Sequence, residues 1–177
     1  MMRGEKVELR ARHESDFPVF QAELYNDVQT RARSEGSPWR PVSPTPPKEP
    51  DEPSEKAVVF SVVERETQKL IGEAVLWGID NHNRAAHLGI SMLPSAQGQG
   101  FGTDVVRVLC EYGFAVRGLN RLQVETLADN DAMLGAAKRA GFTVDGTLRK
   151  SAWVYGTFAD EVLLGLLVED WKPASHV

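Results

Sequence analysis

Gln97-Gly98-Gln99-Gly100-Phe101-Gly102-Thr103 is the stretch that decides how this chain of 177 residues is read. Before it, Ala86 to Leu93 reads as a strand and is stopped by Pro94. After it, residues 103–116 place Val106, Leu109, Cys110 and Phe114 on one helical face. The loop therefore joins a strand to a helix. Its glycines let backbone N–H groups converge without obstruction, and the helix aims its positive N-terminal end at the same point. Together they form an anion site suited to a pyrophosphate. A P-loop would end in Gly-Lys-Ser/Thr, which is missing. A dinucleotide fingerprint needs Gly-x-Gly-x-x-Gly, whereas the spacing here is Gly98-x-Gly100-x-Gly102. Glu125 stands at a suitable distance for that motif's ribose ligand, but the hairpins upstream do not fit a doubly wound sheet. A plain glycine-rich connector is the third alternative.

Upstream, residues 7–12 alternate as a strand, and Ser15 is positioned to cap a helix from Asp16 that carries Phe17, Phe20 and Leu24 on one face. Seven of the ten prolines lie between Pro38 and Pro53, so residues 33–56 read as an extended insert, either a solvated linker or an active-site flap. Ala57–Val63 and Leu70–Gly78 form a hairpin around Glu66-Thr67-Gln68-Lys69, and residues 79–83 turn the chain into Ala86–Leu93. Downstream, Leu122–Leu127 is a short strand, and Asn130–Ala140 is a helix stopped by Gly141. Phe142–Val154 and Phe158–Val168 close the fold as two strands.

Composition narrows the function classes. Hydrophobic residues make up 42% of the chain, enough for a core, and the length fits one domain, 1–177, with the insert inside it. A net charge of −5 without a basic stripe argues against nucleic acid. The longest apolar run near the end, Val162–Val168, is too short to span a membrane, and the first residues do not read as a signal peptide. A single cysteine, Cys110, fits a reducing cytoplasm, and four scattered histidines make a metal site improbable.

The loop also matches a family pattern. Gln97-x-x-Gly100-x-Gly102 resembles the acyl-CoA loop of the GNAT N-acyltransferase superfamily. Residues 86–94 resemble that family's fourth strand, and Asn130 through Gly141-Phe142 resembles its Asn-to-Gly-Phe segment with the same eleven-residue step. Gly146-Thr147-Leu148-Arg149, Gly156, Asp160 and Glu169-Asp170-Trp171 are similar to the RimJ/RimL-like branch, which includes polyamine and ribosomal-protein N-terminal acetyltransferases. The resemblance covers nearly the whole chain apart from the insert. It implies an α/β (α+β) fold with a mixed, mostly antiparallel sheet of about six to seven strands flanked by helices. It also implies acetyl-CoA lying where the fourth and fifth strands splay, an amine acceptor that is a small molecule or a protein N-terminus, no metal, and a homodimer as a common assembly.

Carried residue by residue, the resemblance assigns cofactor contacts to Ile90, Met92, Gln97, Gly98, Gln99, Gly100, Phe101, Gly102, Thr103, Asn130, Met133 and Ala137. The amides of Gln99, Gly100, Gly102 and Thr103 would face the pyrophosphate, the main chain of Met92 would pair with the pantetheine arm, and Ile90 N–H would sit by the thioester carbonyl. Asn130 is equally read as a helix N-cap. An alkylamine has a pKa of roughly 10.4, so a base or water relay must take its proton. His87 is the candidate, standing where the branch often has Glu. Many relatives carry a tyrosine acid where this chain has Ala137; Tyr155 is a weak substitute. Candidate walls for the acceptor are Tyr25, Trp39, Trp77, Trp153 and Tyr155, although aromatic residues are more often core. Glu35, Asp51, Glu52 and Glu55 could meet a cationic amine, but nearby basic residues nearly cancel them. The expected function is acetyl-CoA-dependent N-acetyl transfer in a ternary complex; the alternative is a non-catalytic acyl-CoA-binding domain.

Overall fold

A computed structural model describes residues 1–34, 38–41 and 54–173. Most of the proline-rich stretch, with Glu35, Asp51 and Glu52, lies outside the described residues. The elements in chain order are β1 (Met2–Arg3), β2 (Val7–Arg10), α1 (Phe17–Phe20), α2 (Val28–Ser34), β3 (Ala57–Glu64), β4 (Leu70–Asp80), β5 (Ala85–Met92), α3 (Phe101–Glu111), β6 (Arg121–Leu127), α4 (Asp131–Arg139), β7 (Thr143–Val154) and β8 (Thr157–Leu167). The strands form one sheet in the order β1-β2-β3-β4-β5-β6-β8-β7. Every neighbouring pair is antiparallel except β5–β6. Eight strands exceed the six to seven expected; the two-residue β1 is too short to show alternation.

Strand alternation sorts the residues onto two faces. Val62, Ala74, Leu76, Ala86, Leu88, Leu122 and Val124 belong to the main core with Val105, Val106, Leu109 and Cys110 of α3. Their strand neighbours point the other way. Ser61 Oγ donates to Asp16 just ahead of α1, and Glu73 accepts from Tyr25 at the end of the wider turn Gln21–Tyr25 that continues α1. So α3 and α1 cover opposite faces. The predicted helical face is confirmed: Val106, Leu109 and Cys110 of α3, and Phe114 of the wider turn Tyr112–Val116 that continues it, are all buried. Each fully buried Val or Leu contributes about 1.5–3 kcal/mol relative to exposure.

Two local expectations need correction. Ser15 does not cap α1. His13 precedes a single tight turn, Glu14–Asp16, and Asp16 Oδ2 accepts from His13 N at 2.9 Å, so the buried aspartate organises the helix entry. A second helix, α2, follows the first, before the prolines begin; none of its residues is buried, so it had no apolar stripe to read.

The first turn of α3 is braced from the start of the chain. The Asp104 carboxylate accepts backbone N–H bonds from Glu5 (3.1 Å), Lys6 (2.7 Å) and Val7 (3.0 Å). A side chain at Gly4 would collide with it, a Cβ there lying 2.5 Å from both Asp104 oxygens.

Candidate active site

The parallel β5–β6 pairing is short. Ala85 pairs with Arg121, Ala86 with Leu122 and His87 with Gln123, and there it ends. Beyond His87, β5 continues to Met92 alongside β4 alone, and β6 continues to Leu127 alongside β8 alone. A cleft opens at His87. Ile90 and Met92 lie along it with no described strand pairing on the β6 side.

At the far end of β5 stands the glycine loop. Gly98 (φ 74°) and Gly100 (φ 82°) adopt left-handed backbone that disfavours side chains, and Gly100 is the N-cap of α3. The Gln97 amide donates to Met92 O at 3.2 Å and the Gln99 amide to Ser95 O at 2.6 Å, which pins the loop to its own strand end. A Cβ on Gly102 would touch Ile90 Cδ1 (3.5 Å) and Ala136 Cβ (3.8 Å), so this glycine sits between β5 and α4. Thr103 Oγ1 accepts from Arg139 Nε at 3.1 Å, tying α3 to α4. Phe101 is buried, so only its backbone is available to a ligand. Sequence reasoning missed Lys6: its Nζ is 3.8 Å from the position a Gly100 Cβ would take, which adds a cation beside the loop. Lys6 lies far from the loop in sequence; the Asp104 brace and the bond that its carbonyl accepts from Arg65 N (2.8 Å) bring it there.

Asn130 caps α4, its Oδ1 accepting from Met133 N (3.2 Å) and its Nδ2 donating to Thr126 Oγ1 (3.0 Å) on β6. Met133 is half-buried, whereas Ala137 is fully buried in the core and is not brought to the cleft surface.

His87 is half-buried and stacks on Trp77 of β4, with ring centroids 4.3 Å apart and planes at 25°. Its Nε2 lies 3.3 Å from Gln123 Nε2, and its Nδ1 is buried without a partner. Burial pushes its pKa below the usual histidine value; the Glu125 carboxylate opposes this and the Arg121 guanidinium adds to it. A neutral imidazole near pH 7 can accept a proton. Glu125, considered above only for a ribose contact, thus sits by the cleft instead.

On the α1 face, the Glu73 carboxylate pairs with Arg12 and accepts from Tyr25 OH at 2.5 Å. Burial and that carboxylate push the Tyr25 phenol well above its ordinary pKa. Trp39 Nε1 donates to Tyr25 O at 2.9 Å. Trp77, Trp153 and Tyr155 are exposed rather than core, and Trp153 packs edge-on against Phe158 at the β7–β8 tip. Among the described residues no cluster of His, Cys, Asp or Glu could hold a metal ion.

A parallel pair that splays beside a strand–glycine loop–helix unit defines an acetyltransferase architecture, and residues 6–143 match the acetyltransferase (GNAT) domain. The chain belongs to that family. It is 27% identical over 103 residues to an uncharacterized N-acetyltransferase, YoaA, of Bacillus subtilis (strain 168), covering 58% of each chain. It is 28% identical over 101 residues to the spermidine N(1)-acetyltransferase of Escherichia coli (strain K12), covering 57% of this chain and 54% of that one. The chain thus matches little more than half the length of these relatives. The crystal structure of spermidine N-acetyltransferase from Vibrio cholerae in complex with CoA and spermine shares the fold, with a TM-score of 0.77, 18% identity, and coverage of 93% of this chain and 97% of that one. Among the described residues no helix is long and apolar enough to cross a membrane.

Proposed function

We propose that this protein transfers the acetyl group of acetyl-CoA to a primary amine, with the two substrates held together and His87 taking the amine proton. One observation carries the reading: β5–β6 pairing stops at the His87–Gln123 rung, so a neutral imidazole stands where the cleft begins, and the glycine loop stands at its other end. The residues fit acetyl-CoA. Gly98 has nothing within 4 Å of where a side chain would be, and Lys6 adds positive charge beside Gly100. Bound acetyl-CoA supplies an activated thioester carbonyl. The amides of Gln99, Gly100, Gly102 and Thr103, at the positive end of α3, would hold its pyrophosphate. The β5 main chain at Met92 would orient the pantetheine arm, and Ile90 N–H would polarise the carbonyl. His87 removes the amine proton, with Trp77 fixing the ring plane. Ala137 offers no proton to the leaving thiolate, which takes one from water.

The acceptor is a small-molecule amine or a protein N-terminus. The working compartment is the cytoplasm, a reading supported by the single unpaired cysteine. The chain is one catalytic domain, and a homodimer is its assembly. The test is release of free CoA thiol from acetyl-CoA across polyamines, aminoglycosides, amino acids and N-terminal peptides, with acetyl-CoA binding followed by calorimetry. Acetyl-CoA binding without acetylation of any amine would leave the non-catalytic binding module instead. The neutral base at the fork favours catalysis over that module.

A further inference from the structure

We propose that Gln123, oriented by Arg121, is a positioning residue that holds neutral His87 as the Nδ1–H tautomer, leaving the ring's lone pair on Nε2, where an incoming amine reaches it by displacing the Gln123 NH2. The assignment of Nε2 as the catalytic base rests on the proposed transferase reading; the tautomer itself does not.

The argument begins at Arg121. A guanidinium only donates. Arg121 Nη2 lies 3.4 Å from Gln123 Oε1, so the oxygen end of the Gln123 amide faces Arg121. The NH2 end then faces His87 Nε2 at 3.3 Å. An amide N–H meets a ring nitrogen favourably only if that nitrogen offers a lone pair. The neutral ring therefore carries its proton on Nδ1, which is buried without an acceptor; the Gln123 contact at Nε2 offsets that cost, whereas the other tautomer would set N–H against N–H there and leave the Nδ1 lone pair unpaired as well. Flipping the amide would turn its NH2 group onto the guanidinium, setting donor against donor.

Arg121 is held in place. It is ion-paired with Asp145 of β7, and the pair lies across Gly165 of β8, where a Cβ would come within 2.5 Å of both Arg121 Nη2 and Asp145 Oδ2. Glycine is the residue that lets the pair pass. The four side chains thus form a chain with one polarity: Asp145 accepts from Arg121, Arg121 donates to Gln123, and Gln123 donates to His87.

The same polarity resists protonation. An imidazolium would direct Nε2–H at the Gln123 NH2. Around the ring, β4 contributes uncharged Trp77 and Gly78, while β6 contributes Arg121, which opposes the cation, and Glu125, which favours it. The ring is a base that returns its proton readily, which a catalyst must do on each turnover.

Imidazole nitrogens are read directly by long-range proton–nitrogen correlation NMR on the ¹⁵N-labelled full chain, with His87→Gln identifying the His87 signals. The expected wild-type spectrum at pH 8 shows His87 protonated at Nδ1, with Nε2 unprotonated and accepting from Gln123. An Nε2–H tautomer overturns the proposal, and this result needs no variant to fold. Gln123→Glu supplies an acceptor; it is expected to move the proton to Nε2 and raise the His87 pKa by about one unit or more. Gln123→Leu removes the donor and is expected to release the ring to a tautomer mixture; an unchanged Nδ1–H form in that variant also overturns the proposal. If the spectra shift as expected but the acid limb of the kcat/KM–pH profile stays fixed in Gln123→Glu, the tautomer assignment stands and His87 as the base fails.

Discussion

His87 and Gln123 are the last residues at which β5 and β6 are paired, and the same two side chains meet at 3.3 Å. The fork in the sheet and the ionisable group at its base are thus one feature. A residue one step earlier on β5, Ala86, faces the buried core, and one step later Leu88 does too. On β5, strand alternation permits only position 87 to present a polar group to the α1 face at the point of opening.

The first prediction concerns that residue. His87→Ala should lower turnover by about 10²-fold or more while leaving acetyl-CoA affinity unchanged. Because burial holds the imidazole below its ordinary value, wild-type activity should rise with pH through a midpoint below about 6.5. Steady-state rates across pH, with calorimetry for the cofactor, check both. A variant with normal turnover at saturating amine would remove His87 from the chemistry.

The loop gives a second. Gly100 has φ 82°, so Gly100→Ala should cost about 1–2 kcal/mol of stability through backbone strain alone. It should also weaken acetyl-CoA binding by crowding the α3 N-terminus. Lys6→Ala should weaken the same binding by about three- to tenfold through loss of one exposed charge, with melting temperature unchanged. Raising the salt concentration should reproduce the Lys6 effect in wild type and add little in the variant.

A third follows from the helix entry. Asp16 is buried and accepts from Arg10, Ser61 and His13 N. These bonds hold its carboxyl well below the usual carboxylate range against an opposing effect of burial. A folded-state pKa below the unfolded one means the stabilisation is complete above about pH 4 and is lost as pH falls further. Asp16→Ala should destabilise by about 3–5 kcal/mol, since it strands Arg10, and should flatten that acid dependence. Denaturation midpoints at pH 7 and pH 3 for both proteins would show it; equal slopes would refute it.

The fourth prediction is chemical. Burial alone pushes the Cys110 thiol up to about 12. At pH 8 the folded protein should react with an aromatic disulfide reagent only as fast as it unfolds. Rapid labelling without denaturant would contradict the packing of α3.

The sequence was most informative where one face of an element is buried. β3, β4, β5, β6 and β8 lie within a residue or two of their expected bounds because each places residues in or against the core; β7 lies equally close although only Val154 of it is buried. Cys110 and Phe114 proved to be core, as their helical spacing implied. Helix α2 escaped because no residue of it is buried, and the entry to α1 escaped because Asp16, a polar residue, is the buried organiser. The loop was readable from its glycines, since left-handed backbone has a compositional mark. Lys6, Arg121 and Gln123 had no such mark. Their roles come from strand register and from chain segments far apart in sequence, and no local pattern encodes either.

The Asp104 brace bears on how this protein can be handled. Three consecutive amides, of Glu5, Lys6 and Val7, end on one carboxylate in the first turn of α3. The segment 5–7 is therefore a strut under the glycine loop. Trimming those residues would leave a buried carboxylate stripped of its donors, and fusing a bulky handle next to them would pull on the loop directly. Engineering at residues 5–7 is thus engineering of the glycine-loop end of the cleft, and a variant cut past Val7 would register the change in its dissociation constants before its melting curve.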